Sequence, residues 1–293
     1  MDWSGAACLP GDLARSVEGR RDTAPRLPAR PWATAGRLAV RWSTFAARSV
    51  SRGHLDFATR AALAECDLVR CFAGNALFGS TPRHGCNLCA WQGRHFLPNV
   101  GPGYDERGTI CPGCGCLARH RSLVAILRRA TGFFSTPCDA IEVAPPRRFQ
   151  ELCLATPGLR YTSFDLSRFA MERGDLTRMR YADDSADYFL CYHVLEHVPH
   201  ETTALAEIRR VLRPGGALVV QVPIDWSVAK TFEYPAPDPR EAGHVRRYGR
   251  DFAERMAGHG FEVESVAVDR VCTESEIRVW GLDPQPVFLC RKR

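Results

Sequence analysis

The sequence predicts an α/β fold, a Rossmann-like doubly wound sheet preceded by a small metal-stapled module, and two observations carry this reading. From Leu117 to Arg293, amphipathic helical segments alternate with short apolar runs of strand character, the pattern of β-α-β winding. Ahead of them, five of the 13 cysteines fall between Cys86 and Cys116, in a stretch poor in periodic structure. The 293 residues are enough for one large domain and something smaller. At 45% hydrophobic and 25% charged, with a mean hydropathy of −0.22, disorder and fibrous structure are excluded.

Residues 1–80 read as an Arg-rich, poorly ordered or marginally helical arm. Pro25, Pro28 and Pro31 precede a stretch of helical apolar spacing from Trp32 to Val50, and Thr23 to Leu55 holds six Arg and no acid. That composition fits a transit peptide, a membrane-surface helix or an upstream extension, and the plainest reading is an arm without catalytic chemistry. The arm also holds the charge. Residues 1–53 carry nine Arg against Asp2, Asp12, Glu18 and Asp22, so of the net +6 only about +1 belongs to the rest. A nucleic-acid enzyme concentrates its basic excess in the working domain, which this chain does not. Asp2 and Asp12 stand where a signal peptide needs basic and apolar residues. No apolar run approaches the roughly 20 residues of a bilayer span, so cytoplasmic residence is expected.

Residues 81–117 form the cysteine module and 118–293 the larger domain. Ala118 to Phe133 reads as a helix with Leu123, Ile126, Leu127 and Ala130 on one face. A buried strand at Ala140–Val143, a helix at Arg148–Leu154 and a second strand at Leu159–Phe164 follow, and Ala186–Tyr192 is a third apolar run. The helix Thr202–Leu212 ends at Arg213-Pro214-Gly215-Gly216, a stop-and-turn signal, before the strand Ala217–Val222. A helix at Arg250–His259, a strand at Phe261–Val268 and a last strand at Val287–Cys290 complete the chain. The insert near 224–249, with Trp226, Phe232 and Tyr234, is too long for a plain connection and reads as an acceptor-binding lid.

Cys86-Asn87-Leu88-Cys89 and Cys111-Pro112-Gly113-Cys114 are two C-x2-C turns separated by 21 residues. Each places two sulfurs on one turn, and two such turns supply the tetrahedron of a structural Zn2+ ion. Cys86, Cys89, Cys111 and Cys114 are therefore the expected ligands, with Cys116, His84, His95 and His120 as rivals. The other cysteines read as buried or incidental thiols.

In an open parallel sheet, ligands bind beyond the carboxyl ends of the central strands. The first strand ends in Glu142-Val143-Ala144-Pro145-Pro146 and the second runs into Asp165, 23 positions after Glu142. An acid at that distance accepts hydrogen bonds from ribose hydroxyls. A dinucleotide also needs a Gly-rich turn with free N–H groups for its pyrophosphate, and two prolines without a glycine deny it that. A cofactor with one ribose, no phosphate and an ammonium to pair with Glu142 fits better, and S-adenosylmethionine is such a molecule. Each residue also has a plainer reading: Asp165 as a helix N-cap, Glu142 as a strand-end acid, Asp175 as a turn residue, Glu196 and His197 as capping or packing groups.

From Ala140 to about Phe261 the chain resembles a class I S-adenosylmethionine-dependent methyltransferase of the type 11 kind. The resemblance rests on Glu142, Asp165, Gly174-Asp175-Leu176, Ala182 to Tyr188, His193-Val194-Leu195-Glu196-His197-Val198, Arg213 to Gly216 and Gly260-Phe261. The Cys-Pro-x-Cys segment running into Arg119-His120-Arg121, with His244 to Gly249, resembles a bacterial subgroup carrying an N-terminal zinc ribbon. The resemblance implies a seven-stranded sheet with its last strand antiparallel. It implies that Glu142 holds the methionine amino group, Asp165 the ribose and Asp175 the adenine edge, with Ala144 and Leu176 beside them and Tyr192 and His193 lining the pocket. The missing Gly-x-Gly at Ala144-Pro145-Pro146 is its chief departure.

Methyl transfer from a sulfonium needs a nucleophile held in line, and a general base adds roughly 100- to 10,000-fold. His193 and His244 are the candidates, with Tyr248 and Asp225 as polar pocket residues. The expected function is methyl transfer to a small-molecule or saccharide-like acceptor. The alternatives are an RNA methyltransferase that docks its substrate on the ribbon, and a non-catalytic relative that binds zinc and a nucleoside. Arg119, Arg121, Arg128 and Arg129 favour an anionic partner, and the near-neutral charge from His54 onward argues against RNA.

Overall fold

The computed structural model describes residues 27–28, 55–78, 81–101, 104–167, 170–238 and 241–293. The first described element is α1 (Leu55–Phe78), a helix inside the region read as a poorly ordered or marginally helical arm. Its Ala64, Leu68 and Cys71 are buried and cluster with Leu97, Val100 and Ile110, so the helix has an apolar face with somewhere to put it. The expected helix at 32–50 lies outside the described residues. The module is built from two antiparallel pairs, β1 (His84–Gly85) with β2 (Gln92–Gly93) and β3 (Leu97–Gly101) with β4 (Tyr104–Ile110).

The larger domain begins with α2 (Ala118–Ala130), β5 (Cys138–Val143), α3 (Arg147–Leu154), β6 (Leu159–Asp165) and the short β7 (Glu172–Arg173). Next come β8 (Ala186–Tyr192), α4 (Glu201–Val211) and β9 (Leu212–Gln221), then the lid hairpin β10 (Phe232–Asp238) and β11 (His244–Arg247). The chain closes with α5 (Phe252–Gly258), β12 (Phe261–Val266), α6 (Glu274–Trp280) and β13 (Val287–Lys292). The sheet order is β12-β13-β9-β8-β5-β6-β7. β5 pairs in parallel with β6 and β8, while β13 is antiparallel to both of its neighbours. This is the seven-stranded sheet with a reversed last strand that the resemblance implied.

The Arg213-Pro214-Gly215-Gly216 stop-and-turn is corrected: it lies inside β9. Ala186 pairs with Leu212 and Tyr188 already with Ala217, so the motif forms an irregularity that the ladder steps over. Gly215 there has φ +77°, and a Cβ at Gly216 would come within 2.9 Å of the Arg213 carbonyl oxygen.

Two apolar cores flank the sheet. One holds Ala204, Leu205, Ile208 and Val211 of α4 against Ile141, Val143, Phe189 and Leu218. The other packs Leu123 to Leu127 of α2 and Phe149 and Leu152 of α3 against Ala140, Leu190 and Val219. That second core also contains Cys86, Leu88, Cys89, Trp91, Phe96, Cys111 and Cys114, so the module and the sheet share one interior. None of the described helices is long and apolar enough to cross a membrane.

Candidate cofactor and metal sites

Alternation along the strands decides which side chains share a face. Glu142 of β5 is level with Leu190 of β8, and Tyr192 of β8 with Gln221 of β9. With a period of two, Glu142, Leu190, Tyr192, Val219 and Gln221 all project to the face covered by α2 and α3. Three of these are polar and buried at the carboxyl ends of the central strands. Among the described residues, Glu142 Oε1, the Tyr192 hydroxyl and Gln221 Oε1 have no hydrogen-bond partner. Groups of this kind are costly to bury unpaired, and they mark a place where a ligand's donors fit.

Glu142 is 1% exposed and accepts a hydrogen bond from the Tyr161 hydroxyl on its other oxygen. Burial pushes its carboxyl up to about 8, against the opposing pull of the Tyr161 bond. The loop after it turns at Ala144, whose φ of +52° is the conformation that a glycine takes without strain. Pro146 caps α3, its carbonyl accepting from the Phe149 and Gln150 amides at 2.9 and 3.0 Å.

Asp165 ends the adjacent strand and is half-buried. Ser167 donates to it through its amide at 3.2 Å and its hydroxyl at 2.8 Å. The N-cap-like turn is therefore real, but a carboxylate has room for about four hydrogen bonds, so acceptor capacity for ribose hydroxyls remains. Asp175 is exposed, and Thr177 donates to its Oδ1 from amide and hydroxyl, which holds it below the usual carboxylate range. It lines a cleft of about 530 Å³ with Phe164, Arg178, Met179 and Tyr181 at the β7 edge of the sheet; Glu142 and Asp165 are not part of that cleft. Leu176, expected beside the cofactor, is instead 5% exposed in the core of the opposite face. The structure thus groups Glu142 and Tyr192 with Gln221, keeps Asp165 at the neighbouring strand end, and sets Leu176 apart. Sequence reasoning missed Gln221, since one polar residue ending an apolar run carries no signal of its own.

His193 follows β8 with φ +53°, its amide donating to the Gln221 carbonyl at 2.9 Å. Its Nδ1 is 3.2 Å from Oε1 of Glu196. His244 comes from the lid strand β11, and its ring lies 4.7 Å, edge to face, from that of His197. Burial lowers the pKa of His244, partly opposed by the nearby Glu196. The two predicted catalytic histidines therefore converge on one glutamate. Arg246 bolts the lid to this loop, donating to the carbonyls of Leu195 at 2.5 Å, Val198 at 2.8 Å and Pro199 at 3.3 Å.

In the module the two C-x2-C turns are near-copies of each other. Ala90 and Gly115, each following its second cysteine, have φ of +56° and +77°. Their amides donate to the carbonyls of Cys86 and Cys111 at 3.0 and 2.8 Å. The Cys86 amide donates to Trp91 and the Cys111 amide to Cys116, both at 2.8 Å. The four predicted sulfurs converge, with Cys86–Cys114 at 3.8 Å and Cys89–Cys111 at 3.7 Å, the spacing of neighbouring corners of a tetrahedron with Zn–S bonds of about 2.3 Å. Cys116 is also 3.5 Å from Cys86, but it holds the place that Trp91 has in the first turn and faces Arg121. Among the other rivals, His84 Nδ1 is 3.2 Å from the Arg278 carbonyl, and His120 Nδ1 accepts from the Leu117 amide at 3.2 Å.

Three of the four arginines beside the module that were read as favouring an anionic partner are engaged within the protein. Arg121 is fully buried and donates to carbonyls of Trp280 at 2.5 Å, Thr109 at 2.9 Å, Gly281 at 2.9 Å and Cys116 at 3.3 Å. Arg128 donates to the Asn87 carbonyl at 3.0 Å, and Arg129 forms a two-pronged pair with Glu276 at 2.9 and 2.6 Å. These side chains join the module, α2 and α6 rather than face a partner.

The sheet order, with its reversed last strand, is the one that the sequence resemblance to class I methyltransferases implied. Comparison with known proteins agrees: a family model described as "Methyltransferase domain" matches residues 150–220. An uncharacterised 37.1 kDa protein in transposon TN4556 of Streptomyces fradiae is 44% identical over 96 residues, 33% of this chain and 26% of that one. A "probable S-adenosylmethionine-dependent methyltransferase" of Mycolicibacterium smegmatis is 29% identical over 117 residues, 40% of this chain and 42% of that one. The chain thus spans well under half the length of these relatives. Among solved structures, the Burkholderia thailandensis 1,6-didemethyltoxoflavin-N1-methyltransferase, with 1,6-didemethyltoxoflavin and S-adenosylhomocysteine bound, is 18% identical. That similarity covers 58% of this chain and 76% of that one, with a TM-score of 0.40.

Proposed function

We propose that the chain transfers a methyl group from S-adenosylmethionine to a small-molecule or saccharide-like acceptor, with Zn2+ held by Cys86, Cys89, Cys111 and Cys114 as a structural ion. The observation that carries the cofactor reading is the unpartnered oxygen of buried Glu142, one strand from Asp165. When bound, S-adenosylmethionine supplies an electrophilic methyl group on a sulfonium.

The protein's residues do the rest. Glu142, ionised, receives the methionine ammonium, while the Tyr161 hydrogen bond fixes the carboxylate rotamer. Tyr192 and Gln221 complete a polar wall on the same face, and Asp165 accepts the ribose hydroxyls. His193, at the carboxyl end of β8, takes a proton from the acceptor, and Glu196, with Oε1 3.2 Å from Nδ1, stabilises the imidazolium electrostatically. The lid hairpin, held by Arg246, shields the acceptor side from water.

The four cysteines have a framework role, because four thiolates complete a tetrahedral site and their core is shared with the sheet. Calorimetric titration with S-adenosylhomocysteine tests the cofactor reading. Saturable one-to-one binding is expected, and no binding at high micromolar ligand leaves a non-catalytic module in its place. A metal assay showing no stoichiometric zinc defeats the ribbon.

A further inference from the structure

The loop after β8 and the lid strand β11 bring Glu196, His197 and His244 together, with their ligand atoms all within 4.8 Å of one another. These residues stand apart from the cysteine cluster. Glu196 is the telling member. Its side chain is 1% exposed, and among the described residues neither carboxylate oxygen has a hydrogen-bond partner. The contact with His193 Nδ1 at 3.2 Å lacks hydrogen-bond geometry. An interior carboxylate without hydrogen bonds is costly, and a cation set against its oxygens offsets that cost.

Neither nearby guanidinium hydrogen-bonds to it: Arg119 acts on it only through longer-range electrostatics, and Arg246 is committed elsewhere. Arg246 directs its hydrogens to the carbonyls of Leu195, Val198 and Pro199 and to Glu233. What it does is lock the loop carrying Glu196 and His197 against the strand carrying His244. The two imidazoles meet edge to face at 77°, one from each element, so their nitrogens can address one point beside the carboxylate. His197 is exposed and His244 half-buried, which leaves that point open on one side.

We propose that Glu196, His197 and His244 bind a divalent transition-metal ion, distinct from the cysteine-bound zinc. Two imidazoles and one carboxylate with open positions form a donor set that holds Zn2+, Mn2+ or Fe2+ and leaves room for oxygen ligands. The site lies at the carboxyl end of β8 beside His193, so an oxygen-bearing acceptor is the class of molecule that would fill those positions. That last assignment rests on the methyltransferase reading; metal binding does not.

The test is Mn2+ binding to the full chain with its cysteine-bound metal in place, followed by electron paramagnetic resonance, with S-adenosylhomocysteine binding measured in parallel. One Mn2+ per chain is expected, competed off by Zn2+. His244→Ala and Glu196→Gln should each weaken Mn2+ by at least about tenfold while leaving the cysteine-bound zinc in place. Absence of saturable Mn2+ or Zn2+ binding beyond the cysteine site, or unchanged affinity in folded variants, overturns the proposal. Mn2+ binding without S-adenosylhomocysteine binding keeps the metal site and removes the cofactor reading; the converse removes the metal site alone.

Discussion

Tyr161 donates its hydroxyl to Glu142 across adjacent parallel strands, inside the protein rather than at its surface. The bond occupies one carboxylate oxygen and leaves the other without a partner. This asymmetry makes Glu142 a stability burden, and it is the observation on which its proposed role as cofactor anchor rests.

The burden has a pH signature. The carboxyl is raised from an ordinary 4.5 to about 8 in the folded chain, so between those values the folded state binds a proton that the unfolded state has released. Stability therefore falls as pH rises from about 4.5 to about 8, by an order of 5 kcal/mol if no ligand intervenes. Urea denaturation across that window should show the decline, and Glu142→Gln should flatten it. Cofactor binding should release a proton near neutral pH, seen as a dependence of the binding enthalpy on buffer ionisation heat.

Ala144 holds a positive φ of +52° at the end of β5. An L-residue there costs about 1–2 kcal/mol, which glycine avoids at some expense in unfolded-state entropy. Ala144→Gly is expected to raise the urea midpoint by an amount equivalent to roughly 1 kcal/mol. A lower midpoint would show that the turn is not strained.

Because Cys86, Cys89 and Trp91 belong to the core that contains α2 and β5, metal loss should not be a local event. Chelation, or Cys111→Ser, is expected to lower the melting temperature of the whole domain, with sheet and module unfolding in one transition. Two separate calorimetric transitions would contradict this.

Arg121 joins the module, α2 and the end of α6 mainly through four carbonyls. Arg121→Met removes every one of those donors and should destabilise by about 3–5 kcal/mol without altering zinc content. A neutral effect would mean that the carbonyls find water.

Much of this was legible in the sequence because it rests on local signals. Ala186–Tyr192 is β8 as predicted, since a run of apolar and aromatic residues bounded by turns has few other fates. The cysteine turns were equally plain, and the four sulfurs do converge. What failed was non-local. The Arg-Pro-Gly-Gly signal was read as a turn because strand pairing across an irregularity depends on the register of β8, which the segment does not encode. Arg121 was read as favouring an anionic partner because two of its acceptors, the carbonyls of Trp280 and Gly281, come from a distant part of the chain. Glu196 was read only as part of the resemblance or as a capping or packing group, and the strand that brings His244 to it lies 48 positions away.

The account stands or falls on affinity for the sulfonium nucleoside. Calorimetry of S-adenosylmethionine with the wild-type chain, Glu142→Gln and Asp165→Ala should give one site per chain in the first and at least tenfold weaker binding in the others, about 1.4 kcal/mol or more. Wild-type affinity retained in both folded variants would contradict it.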